Sequence, residues 1–369
     1  MRSFTALLLA LTALAGAGCG HGQRDSDLHG TFLVYRIDAA KGEAARAELV
    51  WYDVAAKKEA RRYDVEPGYA GPIDSEVLSL VRQHDDGDDT LEIASDDDAP
   101  GRVVYRTPRR LLSVSHVSPG GTSVVFTESD RSADRSARSD IRILDITSGD
   151  VRTLARFTDY FSDEFRGFPT VRAWRDDGRG VVIVGNTGSG AGGSIATVYL
   201  DGTVVNHGRT FGIVSPTGRA FVDPGYNGVG CVLVAPQAMR LFDLDENREA
   251  VTVLDQGRGL VFEEWAPDGQ SFLYTRYEGN STPGDCLPEF DPSSGVSFVV
   301  SSAGGTPEQI EDVHALRRRW YGDRTIEWAC SDGPLSPFGR CDTGERVLLL
   351  NGSPVATANS IYVLGFVER

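Results

Sequence analysis

The chain has 369 residues, of which 53 are acidic and 37 are basic, so its formal net charge at neutral pH is −16. This charge argues against nucleic acid as a partner, because proteins that bind a phosphate backbone present clustered lysine and arginine. A hydrophobic content of 40% in a chain of this length is enough for one large β domain or two smaller domains.

The first predicted element is a secretory signal peptide over residues 1–18. Arg2 is followed by an uncharged run over residues 4–17, which is too short for a membrane span but typical of a signal sequence. Small residues at positions 16–18 then precede Cys19 and resemble the bacterial lipobox, in which the cysteine is lipidated.

We therefore predict a lipidated Cys19, a polar tether over residues 19–30, and an extracytoplasmic chain attached to the bacterial cell envelope. The predicted location is the periplasmic face or the cell surface. The alternative is plain secretion, because Ala15-Gly16-Ala17 also fits an ordinary signal peptidase.

Residues 31–369 are predicted to form a single all-β domain. Short runs rich in β-branched and aromatic residues alternate with clusters of Gly, Pro, Asp and Asn throughout this region. The best helical pattern, Glu308 to Arg319, is short and follows Pro307. The pattern favours a sandwich, a barrel or a propeller.

A recurring strand-turn-strand unit distinguishes among these folds. In one copy, Trp265-Ala266-Pro267-Asp268-Gly269 leads into the apolar residues 272–274. Proline presets φ in such a turn, and glycine supplies a positive φ. The predicted turn glycines are Gly87, Gly121, Gly178, Gly218, Gly269 and Gly333.

A second kind of hairpin, such as residues 141–150, lies between these units and brings each repeat to four strands. A single four-stranded sheet would expose an apolar face, so we predict that the sheets pack around an axis as the blades of a β-propeller. Seven blades are preferred and six are the alternative. The last strand, Ser360 to Leu364, is expected to pair with the first blade and close the ring.

The stretch from Trp265 to Tyr274 resembles the repeat of TolB-like propellers, whose consensus is Trp-Ser-Pro-Asp-Gly-x-x-Ile-Ala-Phe. The repeats extend over most of residues 77–350, and this copy is the one close to the consensus. The resemblance implies a propeller fold and a binding role. It transfers no catalytic residue.

With Cys19 assigned to lipid, four cysteines remain for an oxidising compartment, and we expect up to two disulfides. The preferred pairs are Cys330 with Cys341, which would close a short loop, and Cys231 with Cys286. Four cysteines allow three connectivities, so the other pairings stay open. Their spacing does not match a zinc site.

Three further patterns have both structural and functional interpretations. Gly188 to Gly193 contains G-x-G-x-x-G, but a strand pattern follows it, which indicates a hairpin loop and not a dinucleotide site. Arg317, Arg318, Arg319, Trp320 and Tyr321 form a basic aromatic patch that could contact a partner or pack at a sheet edge. Acidic residues that could gather around calcium are Asp85, Asp86, Asp88, Asp89, Asp96, Asp97 and Asp98.

We expect these acids to form a solvated turn, and no cofactor is predicted. The leading hypothesis is a lipid-anchored binding or assembly module whose partner is another envelope protein or a surface ligand. The long polar segment from Glu278 to Ser294 is a candidate recognition loop. The alternative is a propeller-type enzyme, a lyase or glycosidase, with a polar site at the central channel.

Overall fold

The computed structural model describes residues 30–38, 46–53, 56, 58–65, 69–70, 77–84, 87–95, 98–131, 138–158, 165–186, 193–210, 212–223, 238–254, 259–266, 269–277, 294–310, 319–321, 324–335, 341–350, 353–358 and 360–368. These residues contain strands and no α-helix. The strands are β1 (Gly30–Asp38), β2 (Arg46–Asp53), β3 (Lys58–Val65), β4 (Tyr69–Ala70), β5 (Val77–Gln83), β6 (Asp89–Ser95), β7 (Asp98–Thr107), β8 (Arg110–Val117), β9 (Ser123–Ser129), β10 (Ser139–Asp145), β11 (Val151–Phe157), β12 (Phe168–Trp174), β13 (Gly180–Asn186), β14 (Gly193–Tyr199), β15 (Val204–Thr210), β16 (Ile213–Val214), β17 (Ala220–Asp223), β18 (Ala238–Asp243), β19 (Arg248–Leu254), β20 (Gly259–Trp265), β21 (Ser271–Tyr277), β22 (Val296–Ser301), β23 (Glu308–Ile310), β24 (Arg319–Tyr321), β25 (Arg324–Leu335), β26 (Cys341–Leu350), β27 (Ser353–Ala358) and β28 (Ser360–Glu368).

The strands pair into antiparallel sheets of four, as the repeats predict, and the described residues contain seven such sheets. Sheets 1 to 6 each take four consecutive strands: β4–β7, β8–β11, β12–β15, β16–β19, β20–β23 and β24–β27. Sheet 7 has the order β28-β1-β2-β3, so it joins the last strand to the first three. The pairing of Tyr362 with Tyr35 lies within this junction. The predicted closure of the ring is confirmed.

The middle strand β13 is apolar from Val181 to Val184 because both of its faces are covered. In β13, Val181 and Ile183 pack in one cluster with residues of sheet 2, such as Ile141. Val182, which points to the opposite face, packs with Phe221 of sheet 4. A strand that is buried on both faces has no polar side, so continuous apolar runs replace strict alternation.

The first strand of each sheet is the innermost one. β8 contacts β4 on one side and β12 on the other, so the first strands of neighbouring sheets approach each other around the axis. We call the end that carries the first-to-second and third-to-fourth strand connections the turn face. The opposite end, with the second-to-third strand and sheet-to-sheet connections, is the loop face.

Four of the predicted turn glycines occupy the same place, between the first and second strands of sheets 2 to 5. Gly121, Gly178, Gly218 and Gly269 all have positive φ, between 62° and 70°. Two of them also lie against the preceding sheet. A Cβ on Gly218 would lie 2.6 Å from the carbonyl oxygen of Trp174, and one on Gly269 would lie 2.6 Å from Oγ1 of Thr217.

The remaining two glycines differ from this pattern. Gly87 has a φ of 94° but lies between the second and third strands of sheet 1, on the loop face. Gly333 lies inside β25, where the pairing with β26 shifts register between Asp332 and Leu335. The turn predicted at Gly333 therefore does not separate two strands.

The helical pattern from Glu308 to Arg319 does not form a helix at either of its two ends. Glu308–Ile310 is strand β23 and Arg319 begins strand β24, while residues 311–318 lie outside the described residues. Within the ranges given above, the structure contains no helix with the length and apolar character of a membrane span.

Candidate functional site

A buried ionic network joins sheets 1 and 2 at the loop face. Arg109, in the connection between β7 and β8, donates from Nη1 to Oε2 of Glu128 (2.8 Å) and Oδ2 of Asp140 (2.9 Å), and from Nε to Oδ1 of Asp130 (2.9 Å). Glu128 also accepts from Nη1 of Arg142 at 2.8 Å. The two acids at its centre are 2% and 0% exposed.

The network balances its own charges. Burial alone would raise the pKa of Asp140, but hydrogen bonds from Arg156 and Arg109 outweigh it, so the pKa is lowered. Burial likewise lowers the pKa of Arg109, but its carboxylate partners outweigh that effect and raise the pKa. Charges that are paired and hydrogen-bonded can remain ionised in the interior. We therefore assign this network a structural role.

Sheet 1 contributes further groups to the same junction. The hydroxyls of Tyr105 and Thr107 donate to Oε1 of Glu128 at 2.8 Å and 2.7 Å. Asp89 is fully buried and accepts from the backbone N–H of Leu111 and from Arg131, both at 2.7 Å. The predicted calcium acid Asp89 is thus a bridge between sheets.

A second charged cluster joins sheets 3 and 4 at the turn face. Arg219 donates from Nε to both carboxylate oxygens of Asp176 at 2.7 Å and from Nη1 to Oδ2 of Asp245 at 3.0 Å. Arg175 pairs with Asp177 and Asp245. Arg219 and Asp245 also line a groove of about 260 Å³ between sheets 4 and 5. Because Arg219 and Asp245 are already paired and Asp243 accepts from backbone N–H groups, we regard the groove as a seam between sheets.

The innermost strands are linked by a repeated tryptophan contact. Trp174 Nε1 donates to the carbonyl oxygen of His116 at 2.9 Å, from sheet 3 to sheet 2. Trp265 Nε1 donates to the carbonyl oxygen of Ile213 at 3.0 Å, from sheet 5 to sheet 4. His116 and Ile213 each precede the last residue of their strand. Both contacts therefore occupy the same place in the repeat.

The same inner strands bring His116 close to Arg172. His116 is 3% exposed, and its ring makes a backbone hydrogen bond with Val171, while its Nε2 has no hydrogen-bond partner. Burial and the charge of Arg172 lower the pKa of His116 to about 3, so the ring is neutral at physiological pH. Arg172 itself is exposed, yet desolvation by the surrounding protein lowers its pKa. This is the candidate functional site.

The predicted disulfide between Cys330 and Cys341 does not fit the observed register. Cys330 is opposite Arg346, and Cys341 is opposite Leu335. Cys341 lies five residues before Arg346, which is about 16 Å along a strand. A disulfide joins Cα atoms roughly 4.4–6.8 Å apart.

Several other predicted site residues lie outside the described residues. They are Cys19, Cys231, Cys286, Arg317, Arg318, Asp85, Asp86, Asp96 and Asp97. Arg319, Trp320 and Tyr321 form β24, the innermost strand of sheet 6. The part of the chain that the structure describes contains no group of three side chains suited to hold a metal ion.

The glycine-rich segment that ends at Gly193 connects two paired antiparallel strands. β13 pairs with β14 from Gly180 opposite Tyr199 to Val184 opposite Ile195. The hairpin interpretation is confirmed, since a dinucleotide site requires a helix after the glycines.

Sequence reasoning missed Arg172, Arg109 and Glu128. Glu128 has a recognisable signal, because it lies two residues after the apolar run of residues 124–126 in a strand whose residues are buried on both faces. Arg172 has no recognisable sequence signal apart from its position two residues before Trp174. Its role depends on a register shift between Val171 and Ala173.

Comparisons with known proteins agree on the fold. No protein-family model matches the sequence, and no curated protein matches it. The β-propeller domain of the Trilobed protease from Pyrococcus furiosus superposes with a TM-score of 0.53 at 11% identity, covering 91% of this chain and 96% of that one. The chain is a β-propeller.

Two other propeller structures illustrate the range of similar proteins. The acylaminoacyl peptidase of Pyrococcus horikoshii has a TM-score of 0.54 at 12% identity, covering 88% of this chain and 52% of that one. This chain thus spans about half the length of that enzyme. TolB from Acinetobacter baumannii has a TM-score of 0.41 at 12% identity, covering 90% of this chain and 82% of that one. At 11% and 12% identity, the likeness to the Trilobed protease domain and to the acylaminoacyl peptidase establishes the propeller fold alone.

Proposed function

We propose that this propeller is an extracytoplasmic binding or assembly module, held at the bacterial envelope by a lipid on Cys19, and that its partner is another envelope protein or a surface ligand. The observation that carries the proposal is the unequal length of the connections at its two ends. On the loop face, β17 ends at Asp223 and β18 begins at Ala238, and β21 ends at Tyr277 and β22 begins at Val296.

Connections on the turn face are much shorter. β16 ends at Val214 and β17 begins at Ala220, with a tight turn closed by a hydrogen bond from Gly218 N to Ser215 O. Long connections on a rigid scaffold are the usual place for recognition. Sheets 4 and 5 are neighbours, so the strand ends that flank these two long connections lie at the same face of adjacent sheets. Cys231 falls in one and Cys286 in the other, and we propose a disulfide between them.

The enzyme hypothesis gains no support from the histidine near the axis. A general base works best when its pKa lies near the working pH. His116 has a pKa of about 3, so its neutral ring is a weak base at pH 7.

The binding role is tested by quantitative capture from envelope extracts. The wild-type chain is compared with one in which residues 280–291 are replaced by a short Gly-Ser linker. A matched control replaces the turn-face connection Ser302–Pro307 in the same way. We expect a partner that is captured by the wild type and the control but lost with the shortened loop. Equal capture by all three, or none by the wild type, would remove the support for the loop face.

The anchor is tested separately by detergent partitioning and mass spectrometry of the mature N-terminus. The wild type should enter the detergent phase and carry a lipidated Cys19 as its first residue, whereas Cys19→Ser should stay in the aqueous phase. A mature N-terminus at Gly18 with an unmodified Cys19 would favour ordinary signal peptidase and plain secretion. Peptide mapping without reductant tests the Cys231–Cys286 link.

A further inference from the structure

Arg172 occupies an irregular position on an innermost strand. Val171 pairs with Ile183 and Ala173 pairs with Val182, so Arg172 is the extra residue of a β-bulge. Val171 and Ala173 are buried, whereas Arg172 is exposed. A bulge redirects one side chain away from the regular alternation of its strand.

The surroundings of Arg172 place its side chain in the central channel. The faces of sheet 3 are covered by sheets 2 and 4, and the outer edge of β12 is hydrogen-bonded to β13. The remaining open space beside β12 is the channel around the axis. Because Arg172 is exposed while its neighbours on β12 are buried, we place its side chain in that space, where water reaches it.

The charge of Arg172 is not neutralised by the described part of the chain. Its pKa is lowered by desolvation with no compensating carboxylate. Arg175, three residues further on, shows the contrast, because Asp177 and Asp245 outweigh its burial and raise its pKa. An arginine remains protonated in either case. Among the residues that the structure describes, Arg172 is therefore a positive charge without an ionic partner, in a chain of net charge −16.

His116 adds a hydrogen-bond acceptor beside this charge. Its ring bonds to the backbone of Val171, the neighbour of Arg172, and this bond favours the protonated form, so the bonded nitrogen is the donor. The buried Nε2 is then an unsatisfied acceptor that solvent does not reach, so a ligand donor reaches it only when the side chains that cover it move aside.

We propose that Arg172 binds the carboxylate of a ligand that enters the channel from the turn face, and that a hydroxyl or N–H next to that carboxylate donates to Nε2 of His116. A planar guanidinium matches a carboxylate with two parallel hydrogen bonds. One positive charge neutralises one carboxylate, whereas a dianionic phosphate would leave a charge uncompensated in an acidic protein. This site is distinct from the loop face.

The test uses NMR titration of the Arg172 Nε–H and the His116 ring nitrogens in selectively labelled mature protein. The probes are lactate, propionate, inorganic phosphate, and a short peptide with a free C-terminal carboxylate. We expect lactate to bind about fivefold tighter than propionate, which lacks the hydroxyl, and tighter than phosphate. If the peptide binds more tightly than lactate, the ligand is the C-terminus of a polypeptide. If lactate binds more tightly, the ligand is a free hydroxy acid.

Variants separate this site from general charge effects. Arg172→Gln should weaken lactate binding about tenfold or more, and Arg172→Lys should retain part of it. Arg110→Gln is the matched control, because Arg110 is an exposed arginine at the start of the innermost strand β8. Equal binding by Arg172→Gln and Arg110→Gln, or a preference for phosphate, would overturn the proposal. Loss of this site leaves the capture experiment on the loop face unchanged.

Discussion

The indole of Trp174 donates to the backbone carbonyl of His116 across the junction of sheets 2 and 3, 58 residues apart in the chain. Trp265 makes the equivalent bond to Ile213 across the junction of sheets 4 and 5. Both indoles are buried, so the carbonyl that each satisfies has no ready replacement.

Trp174→Phe and Trp265→Phe should each destabilise the fold by about 1–3 kcal/mol, because each leaves a buried carbonyl without its donor and reduces apolar contact. Urea denaturation followed by far-UV circular dichroism measures the loss. The two junctions share no residue, so the double variant should show the sum of the single effects. A double variant no less stable than either single would show that the bonds do not act independently.

His116→Gln should reduce the dependence of stability on pH. The folded-state pKa of about 3 lies below the ordinary value of 6.5, so the unfolded chain binds a proton that the folded chain does not as pH falls below 6.5. Stability is therefore highest above this value and falls by about 1.4 kcal/mol per pH unit below it. Between pH 7 and pH 5 the variant should lose about 2 kcal/mol less than the wild type.

The measurement is urea unfolding at both pH values. His84→Gln is the control, since His84 lies in a turn of sheet 1 and bonds to Thr90. If His116→Gln and the wild type lose the same stability between pH 7 and pH 5, the histidine is not held neutral.

Arg109→Met should cost about 3 kcal/mol or more, because it removes the cation that contacts Glu128, Asp130 and Asp140 at once. Arg152→Met is a matched control: its guanidinium is exposed and donates to the carbonyl of Leu200, and its loss should change stability by about 0.5 kcal/mol or less.

Acid denaturation gives a second measure of the same network. The pKa of Asp140 is lowered in the folded protein, so its stabilising contribution is present above its ordinary value of 3.8 and is lost as pH falls through the folded value. Arg109→Met should shrink that acid-dependent contribution. An unchanged acid transition in this variant would contradict the role given to Arg109.

Gly218→Ala should destabilise the protein more than Gly149→Ala. Both glycines have positive φ, 62° and 78°, which costs an alanine about 1 kcal/mol. A Cβ at Gly149 meets nothing within 4 Å, whereas at Gly218 it meets the backbone of Trp174. The difference between the melting temperatures of the two variants measures the cost of the close approach between sheets 3 and 4, because both variants share the cost of a positive φ. Equal melting temperatures would mean that this junction relaxes without cost.

The repeated turns predict the fold well because their chemistry is local. The N–H of Gly269 donates to the carbonyl oxygen of Ala266, and a Pro-Asp-Gly sequence favours such a turn through local chemistry alone. The strands on both sides of these turns are apolar runs, which predicts that both faces of each sheet are covered by neighbouring sheets. Gly333 was misplaced because a Ser-Asp-Gly sequence also occurs within β25, and residues far away in β26 decide the pairing there.

The candidate site was beyond sequence prediction for the same reason. Arg172 becomes significant through a one-residue register shift in β12, and His116 through burial against Val171 of another sheet. The network around Arg109 joins residues from separate strands. No spacing in the sequence distinguishes these charged residues from those on the surface.

Sheet 7 takes its innermost strand, β28, from one end of the described chain and its other three strands from the opposite end. Translation therefore supplies the final edge strand only after every other blade has been synthesised. Until then β1 has an unpaired edge that another extended chain could occupy. A circularly permuted protein, with residue 369 joined to residue 30 and new termini between sheets 2 and 3, would complete this blade within one continuous segment and should remove that aggregation-prone stage.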